Sequence, residues 1–399
     1  MSRLAGRRAV LGVCGGIAAY KAVEVCRRLV DAGAHVVPVL TADALRFVGA
    51  VTFSAVASEP AQTSLWDGED AIPHTRLGRD ADVVVVAPAT ARFVAAYAMG
   101  LSDDLLTATL LMSRAPVLVC PAMHTEMWEH VAVRRNVGAL RAAGVRVLEP
   151  GVGRLAGGDE GAGRLPDPAT IVAAVEALLT PPDLAGRRVL VTAGGTREPI
   201  DPVRFVGNRS SGKQGHALAE EAAARGGAVT LVTTAAALPT PPSAEVVRVE
   251  TAAEMEAAVL AGAAAADVVV MAAAVADFRP KAPADRKLAK AGGPPDLVLE
   301  PTTDILAALG ERRRPGQVLV GFAAETGDGA VARAAAKRER KGADLIVVND
   351  VLAPGAGFEH ATNAVTVVGA AGYRRSVPRG TKREVAAAVF DEIARLLGG

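Results

Sequence analysis

Two valine-rich runs, one in each half of the chain, restrict the folds that this sequence can adopt. Residues 83–86 (VVVV) follow Asp82, and residues 268–270 (VVV) follow Asp267. Continuous β-branched runs bounded by Ala, Gly or Pro are typical of strands that helices cover on both faces. The two halves also begin alike, because residues 8–13 (RAVLGV) and 188–192 (RVLVT) each lead into a glycine pair.

Further apolar runs of strand length alternate with helical patterns along the whole chain. They lie at residues 35–40, 117–120, 145–148, 229–232, 318–322 and 345–348. Alternation of strand and helix predicts an α/β protein with two doubly wound, Rossmann-like or flavodoxin-like domains, each three layers thick with a mainly parallel sheet. Residues 179–186 (LTPPDLAG) break a helical pattern, so we expect domains at 1–180 and 187–399, joined by a linker at 181–186.

Composition argues against several classes of function. The 44 basic and 43 acidic residues nearly cancel, aromatic residues make up 3% of the chain, and no basic tail is present, so nucleic acid is not an expected partner. Cys14, Cys26 and Cys120 show no Cys-x-x-Cys spacing, which disfavours a disulfide framework or a zinc site. No apolar run reaches the ~18 residues of a membrane span.

The amino-terminal region matches an export signal only in part. Arg7 and Arg8 precede an apolar run, as in a twin-arginine signal, but Gly15 and Gly16 interrupt the run and Lys21 follows soon after. We therefore expect a cytoplasmic protein with no membrane partner.

The turn after the first strand is a candidate anion site. Gly15 and Gly16 stand where a strand changes to a helix, and backbone amides there favour a phosphate group. The glycine pair alone is equally consistent with a plain tight turn. It does not form a Gly-x-Gly-x-x-Gly fingerprint, which disfavours NAD and hence a generic NAD-dependent oxidoreductase.

Three further segments of the first half strengthen the case for a cofactor site. Together with residues 15–21 (GGIAAYK), residues 87–91 (APATA), 100–106 (GLSDDLL) and 121–128 (PAMHTEMW) resemble the flavin-containing cysteine decarboxylases. The resemblance implies that Met123 and His124 clamp the substrate. It also implies that FMN is bound by Gly15, Gly16, Ile17, Thr41, Thr90, Ser102 and Asp103.

His74 occupies the position of the catalytic histidine in that family. From the residues alone, a single histidine before a loop is more often a surface or capping residue. The resemblance implies instead that its imidazole accepts a substrate proton while FMN takes a hydride equivalent. The implied reaction oxidises the cysteine thiol to a thioaldehyde, releases carbon dioxide, and then reduces the resulting enethiol again.

The first half departs from the family pattern at two positions. His124 stands where the family often has Asn, although it can still donate a hydrogen bond to a carboxylate. Residues 155–164 (LAGGDEGAGR) resemble the family's flexible flap, in which many members carry a cysteine that donates a proton. Gly157 takes that place here, so the sequence leaves the proton donor unidentified.

The second half resembles bacterial phosphopantothenate–cysteine ligases over residues 187–396. The motifs are at 193–204 (AGGTREPIDPVR), 208–213 (NRSSGK), 272–278 (AAAVADF), 321–326 (GFAAET) and 349–350 (ND). The resemblance implies that CTP activates the carboxylate of 4′-phosphopantothenate as an acyl-CMP, which cysteine then attacks. Both resemblances together imply a bifunctional enzyme of coenzyme A synthesis.

The ligase resemblance also implies roles for individual residues. Asp277 helps to hold Mg²⁺, Lys287, Lys337 and Lys341 neutralise the triphosphate, Arg204 binds the substrate phosphate, and Asn208 binds the substrate during cysteine attack. With His74, Asn208 and Lys287 form the predicted catalytic set. The predicted nucleotide-binding residues are Gly194, Gly195, Ala273, Asp277, Lys287, Thr303, Asp304, Ile305, Leu306, Phe322, Lys337 and Lys341. From the residues alone, a basic run on a predicted helix such as 337–341 (KRERK) is usually a solvated face.

Alternatives remain at this stage. The first half also resembles flavin-binding regulatory subunits of the same superfamily, although such a protein would not need the ligase motifs. Residues 207–213 (GNRSSGK) match seven positions of a Walker A loop, but Gln214 replaces the Ser or Thr that binds magnesium. The family resemblance further implies a homo-oligomer with trimers around the flavin site and dimers at the ligase, consistent with a dodecamer.

Overall fold

The chain divides into two compact units, Met1–Pro181 and Pro182–Gly399. The computed structural model describes residues 3–66, 72–155, 157–241, 243–289, 296–325, 327, 329–350 and 362–398. Among these residues, no helix is both long enough and apolar enough to cross a membrane.

The first unit contains a five-stranded parallel sheet in the order β2-β1-β3-β4-β5, so strand order reverses between β1 and β3. Alternate residues of β1 enter opposite cores, Leu11 on one face and Val10 on the other, which is the predicted three-layer arrangement. The elements are β1 Arg8–Val13, α1 Ala19–Asp31, β2 His35–Leu40, α2 Ala50–Val56, α3 Pro73–Asp80, β3 Val83–Ala89, α4 Ala91–Ala98, α5 Leu105–Met112, β4 Val117–Pro121, α6 Thr125–Glu129, α7 Val131–Ala142, β5 Arg146–Val147, β6 Gly151–Arg154, β7 Glu160–Arg164 and α8 Pro168–Leu178.

Strands β6 and β7 form an antiparallel hairpin that contains most of the predicted flap. Its second strand lies against the segment after β4, where the Met123 amide donates to the Gly163 carbonyl at 3.0 Å. A Cβ at Gly163 would lie 2.1 Å from the Met123 oxygen, and one at Gly161 would lie 2.1 Å from Thr125 Oγ1. The two glycines are therefore required for the hairpin to approach this segment so closely.

The second unit has an eight-stranded sheet in the order β12-β11-β8-β13-β16-β17-β18-β19. The first six strands are parallel and the last two antiparallel, and strand order reverses between β8 and β13. The elements are β8 Arg188–Ala193, β9 Arg197–Pro199, β10 Phe205–Gly207, α9 Lys213–Ala224, β11 Ala228–Thr233, β12 Ala244–Arg248, α10 Ala252–Ala263, β13 Val268–Met271, β14 Phe278–Pro280, β15 Leu299–Pro301, α11 Ile305–Glu311, β16 Val318–Glu325, α12 Ala330–Lys341, β17 Leu345–Asp350, β18 Thr362–Val368, β19 Arg374–Thr381 and α13 Lys382–Leu397.

The predicted fold class is confirmed in both units. Each predicted apolar run forms a strand of one of the two main sheets, although β5 and β13 are shorter than the runs that contain them. Part of the predicted linker packs with the second unit. Leu184 is fully buried, and its amide donates to the carbonyl of Arg225 at 3.1 Å.

Arg225 is the centre of a buried ion network in the second unit. Its side chain is 0% exposed, and its Nε donates to Glu221 Oε1 at 2.8 Å on the preceding turn of α9. The remaining guanidinium nitrogens bond Asp183 at 2.9 Å, Asp391, and the Ala387 carbonyl at 2.9 Å. One cation thus joins α9, α13 and the segment before β8.

We expect Arg225→Met to destabilise the second unit by about 3–5 kcal/mol, because the change removes the cation of a buried ion pair and leaves the Glu221 carboxylate buried. Arg28→Met is the matched control. Arg28 also pairs with a glutamate four residues earlier at 2.8 Å, but its side chain is 47% exposed. This change should cost only about 0.3–0.5 kcal/mol.

Urea unfolding of the two variants measures these losses of stability, and far-UV circular dichroism follows the unfolding of both units. Both tryptophans, Trp66 and Trp128, belong to the first unit, so their fluorescence follows that unit alone. Similar losses for the two variants would mean that the buried network is not needed for stability.

Candidate active sites

A cavity of about 710 Å³ lies in the first unit beside the end of β1. The glycine turn forms one wall, and the segment after β4 and the β6–β7 hairpin form others. A Cβ at Gly15 would lie 2.3 Å from Asp43 Cβ and 2.5 Å from the Asp43 carbonyl carbon. The first glycine is thus required by close backbone approach, while Gly16 leaves room beside Thr90, whose Cγ2 would be 3.7 Å away.

The structure brings most of the predicted flavin and substrate residues to this cavity. The predicted residues that line it are Gly15, Gly16, Ile17, Thr90, Met123 and His124. Thr41 follows β2, and its amide donates to the carbonyl of Val13 at 3.0 Å, so it lies beside the end of β1 without lining the cavity. Asp103 does not line the cavity, but its carboxylate lies 4.0 Å from Nη2 of Arg92, which does.

His74 and Ser102 are not among the lining residues of this cavity. His74 is the second residue of α3, and its Nδ1 is buried with no hydrogen-bond partner among the described residues. Helix α3 packs on α5, where a Cβ at Gly78 would lie 2.8 Å from the Thr109 carbonyl. Since α5 follows Ser102 and Asp103 directly, His74 lies on an element adjacent to theirs.

Basic side chains at this cavity were not predicted from the sequence. They are Lys21, Arg92, Arg154 and Arg164. Arg154 ends β6 and Arg164 ends β7 of a glycine-rich hairpin, a sequence pattern that indicates a loop and does not reveal that the two charges reach one cavity. With the amino end of the 13-residue helix α1, these cations make the cavity suited to an anionic ligand such as the phosphate of FMN.

A second cavity, of about 680 Å³, lies in the second unit. Residues 271–277, the start of α9 and the last turn of α12 contribute to its wall. Its lining has six basic residues against three acidic ones, a balance that suits a polyphosphate. The basic residues are Arg209, Lys213, Lys337, Arg340, Lys341 and Lys382, and the acidic ones are Asp277, Asp304 and Glu325.

Most predicted nucleotide-binding residues line this second cavity. They are Ala273, Asp277, Thr303, Asp304, Ile305, Leu306, Phe322, Lys337 and Lys341, together with Asn208. Gly194 and Gly195 do not line it but hold a segment that does. The amide of Ala274 donates to the Gly194 carbonyl at 2.8 Å, and Gly195 forms a β-bridge with Ala274.

Arg204 and Lys287 do not line this cavity, and Arg204 contacts the backbone of the residue that follows Lys287. Arg204 donates through Nε and Nη2 to Asp201 at 2.9 and 2.6 Å, and through Nη2 to the Leu288 carbonyl at 2.7 Å. Burial opposes ionisation of Asp201, but the hydrogen bonds that it accepts, above all from Arg204, hold its pKa well below the usual value. The guanidinium of Arg204, which the sequence predicts to bind the substrate phosphate, is thus oriented by Asp201, whose carboxylate also accepts from the Leu288 amide.

The basic run at 337–341 forms the end of α12 and faces the cavity at three positions. Lys337, Arg340 and Lys341 line the cavity, and Lys341 forms an ion pair with Asp304. Burial lowers the pKa of Lys341, an effect that Asp277 opposes. Opposite charges therefore meet where the sequence predicts triphosphate and metal.

Lys382 also lines the second cavity, although nothing in the sequence indicated this. It is the first residue of α13, is 8% exposed, and has its pKa lowered by burial and by nearby Lys213. No local pattern marks it, since it reaches the cavity only through the fold. Its carbonyl accepts from Gln214 Nε2 at 3.0 Å.

The Walker A reading lacks its structural context. The strand before residues 207–213 is β10, a member of a two-stranded antiparallel pair, whereas a phosphate-binding P-loop follows a sheet strand. Helix α9 begins at Lys213 after Gly212, which has φ of +75°.

Two family models match the chain, one in each unit. The family described as "Flavoprotein" matches residues 2–180, and "DNA/pantothenate metabolism flavoprotein C-terminal domain" matches residues 184–397. The coenzyme A biosynthesis bifunctional protein CoaBC of Mycobacterium tuberculosis is 50% identical over 98% of this chain and 97% of its own length. That of Bacillus subtilis is 44% identical over 98% of each.

This chain belongs to the CoaBC family. The family resemblance predicted from the sequence is thereby confirmed, and the first unit is a flavoprotein domain. A solved structure of a CoaBC C-terminal domain is also similar, at 40% identity over 54% of this chain and 98% of its own, with a TM-score of 0.47.

We expect Gly15→Ala to prevent flavin binding, because its methyl group would meet backbone atoms of Asp43 that cannot rotate away. Gly138→Ala is a suitable control. Gly138 lies in α7, and a Cβ there meets nothing within 4 Å, so the change should stabilise the helix slightly. The absorbance of flavin released per purified chain measures both. A full flavin content in Gly15→Ala would show that this turn is not part of the site.

Proposed function

We propose that the second unit joins cysteine to 4′-phosphopantothenate at the expense of CTP, and that the first unit decarboxylates the product to 4′-phosphopantetheine with FMN. The observation that carries this proposal is the presence of two chemically different cavities, one in each unit. One combines a glycine turn with a clamp and a hairpin, and the other concentrates six basic residues. A flavin-binding regulatory subunit would have no use for the second cavity.

In the proposed ligase reaction, a carboxylate must be brought beside a triphosphate and made electrophilic. The basic residues of the second cavity offset the charge of CTP, and the carboxylate of Asp277 supplies a hard oxygen ligand for Mg²⁺. Asn208 Nδ2 donates to the Val275 carbonyl at 2.9 Å, which fixes its amide at the cavity wall. From there the amide can orient the acyl group while the cysteine amine attacks and CMP leaves.

In the proposed decarboxylase reaction, bound FMN supplies a reversible two-electron acceptor. The protein binds and orients both reactants. The amides at Gly15 and Gly16 bind phosphate, while Met123 and His124 hold the substrate under the β6–β7 hairpin, which limits access of water. The buried Nδ1 of His74 has no partner among the described residues, as expected of a group that waits for a substrate proton.

We further propose that the cytoplasmic protein acts as a homo-oligomer, with trimers about the flavin site and dimers about the ligase, consistent with a dodecamer. His74 and Ser102 do not line the cavity that one chain forms, so a second copy can supply them. Exposed apolar side chains close to them in sequence support such an interface: Ile72, Leu101, Leu111 and Met112.

Mass spectrometry of the product from 4′-phosphopantothenate, cysteine, CTP and Mg²⁺ tests the whole proposal. We expect 4′-phosphopantetheine from the unaltered chain. Accumulation of 4′-phosphopantothenoylcysteine would support the ligase alone. A protein that binds no flavin and cleaves no CTP when cysteine is added would contradict both parts.

Two variants should separate the reactions. His74→Asn should leave ligation intact and stop decarboxylation, since an amide cannot take up the proton. Asn208→Asp should impair use of the acyl nucleotide without changing flavin content, because it places a negative charge where a carboxylate must bind. If either change disabled both reactions equally, two independent sites would be ruled out.

Lys382→Met should weaken CTP binding by about tenfold to a hundredfold, the worth of one charge-assisted hydrogen bond of ~1.5–3 kcal/mol. Because burial and Lys213 already lower the pKa of Lys382, its charge is lost at lower pH than that of an ordinary lysine. CTP affinity of the unaltered chain should therefore fall as the pH rises through the lowered pKa of Lys382. The variant should lack this fall in affinity.

Calorimetric titration with CTP at a series of pH values measures both effects. The folded chain binds fewer protons at Lys382 than the unfolded chain, so this residue's contribution to stability rises with pH. The unfolding midpoint of Lys382→Met should accordingly not fall near neutral pH. Unchanged CTP affinity would show that Lys382 does not contact the nucleotide.

A further inference from the structure

The two departures from the decarboxylase pattern, His124 and Gly157, meet in space. A Cβ built on Gly157 would lie 2.9 Å from His124 Cε1 and 2.8 Å from Asp159 Oδ1. No ordinary side chain fits at 157 unless the imidazole or this carboxylate moves. The imidazole therefore occupies the space into which a side chain from this flap position would extend.

The imidazole of His124 extends from the segment after β4, here called the clamp segment (residues 122–125), toward residues 157 and 159 of the flap. His124 precedes α6, and its side chain makes no capping hydrogen bond. Its Nδ1 is 3.8 Å from Asp159 Oδ2. One ring nitrogen of His124 and one carboxylate oxygen each of Glu126 and Asp159 all lie within 4.8 Å of one another. Other charged groups around the same cavity are Lys21, Asp43, Arg92, Arg154 and Arg164.

We propose that His124 is the proton donor of the reductive step, in the place that a flap cysteine takes in many relatives. The inference rests on the proposed decarboxylase function and assigns a residue to the step for which the sequence left no donor. An imidazole suits the role, because it releases and recovers a proton near neutral pH. Its other task, holding the substrate carboxylate, is over once carbon dioxide has left.

Other groups at the cavity fit the role less well. Cys14, Cys26 and Cys120 are all buried and none lines the cavity, and burial raises the pKa of the Cys14 thiol to about 12. The arginine guanidinium groups do not release protons in proteins. Lys21 and Tyr20 lie on α1, on the side of the glycine turn, whereas His124 faces the flap position itself.

The reductive step balances with this donor. The enethiol left by decarboxylation has a carbon–carbon double bond. Bound FMN would supply the hydride equivalent that one of these two carbons receives. The other carbon receives the N–H proton of the His124 imidazolium. The double bond becomes single, the saturated thiol leaves, and the neutral imidazole takes a proton from solvent.

The test measures the ratio of enethiol to saturated thiol formed from 4′-phosphopantothenoylcysteine by the flavin-loaded protein, using mass spectrometry with a thiol trap. His124→Asn keeps a hydrogen-bonding side chain at the clamp but cannot donate a proton to carbon. We expect the ratio to rise by about 10² or more, the range of general acid catalysis. The double variant His124→Asn with Gly157→Cys should bring the ratio back toward that of the unaltered chain.

A clamping role alone predicts a different pattern. His124→Asn would then raise KM and slow both products equally, and Gly157→Cys would not restore the ratio. If Tyr20→Phe shifted the ratio and His124→Asn did not, the donor would be Tyr20. If the unaltered chain decarboxylates and His124→Asn gives an unchanged ratio, only this inference fails. If the unaltered chain forms neither product, the proposed function fails and this inference with it.

A second readout needs no turnover. The native cysteines are buried, so alkylation of a Gly157→Cys variant reports the introduced thiol. An adjacent imidazole favours the thiolate. In flavin-free protein, alkylation should thus begin at lower pH with histidine at 124 than in the double variant with asparagine. Coincident pH profiles would show that the two positions do not meet, and would overturn the inference.

Discussion

Both units depend on the reversal of strand order beside the first strand of each parallel sheet. The reversal falls between β1 and β3 in the first unit and between β8 and β13 in the second. Successive connections leave such a point toward opposite faces, so a crevice opens at the carboxyl ends of the strands. Glycine then decides how closely the chain can approach the crevice. Gly15 lies against the backbone of Asp43, and a Cβ at Gly215 of α9 would lie 2.6 Å from the Thr192 carbonyl.

The crevices acquire different chemistry because different elements reach them. In the first unit a short antiparallel hairpin closes over the crevice and contributes Arg154 and Arg164. In the second, the ends of α12 and the start of α13 bring lysines from distant parts of the chain. Burying Lys382 near Lys213 without a ligand is unfavourable for folding, as the lowered pKa indicates. In the proposed ligase reaction the negative charge of CTP offsets that penalty, so part of the fold's stability is exchanged for affinity.

The sequence predicted the parts of the structure that local patterns encode. Uniformly apolar runs such as 83–86 indicated the central strands, and the first glycine pair indicated a turn that lines the cavity of the first unit. Strands β12, β18 and β19 were missed. The first and last form the two edges of the sheet and are only partly buried, while β18 alternates half-buried with buried residues and mixes polar with apolar side chains. The site assignments from Gly15 to Lys341 remain predictions, although most of these residues line one of the two cavities.

Local patterns could not reveal which side chains from distant parts of the sequence meet at one site. Lys382 follows Thr381, an ordinary helix cap, and nothing in the adjoining residues signals its role. Arg204 could be expected near a substrate phosphate, but not that Asp201 and the Leu288 carbonyl hold its guanidinium in place. Such contacts join residues far apart in sequence, so only the folded chain shows them.

The glycines of the flap show why residue type alone is a poor guide to role. Gly161 and Gly163 are small because the backbone of the clamp segment and the Thr125 hydroxyl would collide with any side chain there. Neither collision can be relieved cheaply, since the hairpin and the clamp share a hydrogen bond from Met123 to Gly163. At Gly157 the obstacle is instead the movable end of the His124 side chain. A missing side chain in the first two positions allows docking, whereas at the third it makes room for a chemically competent group. The departures at 124 and 157, separate in sequence, therefore amount to one change: the group at the flap is supplied from the opposite wall of the same cavity.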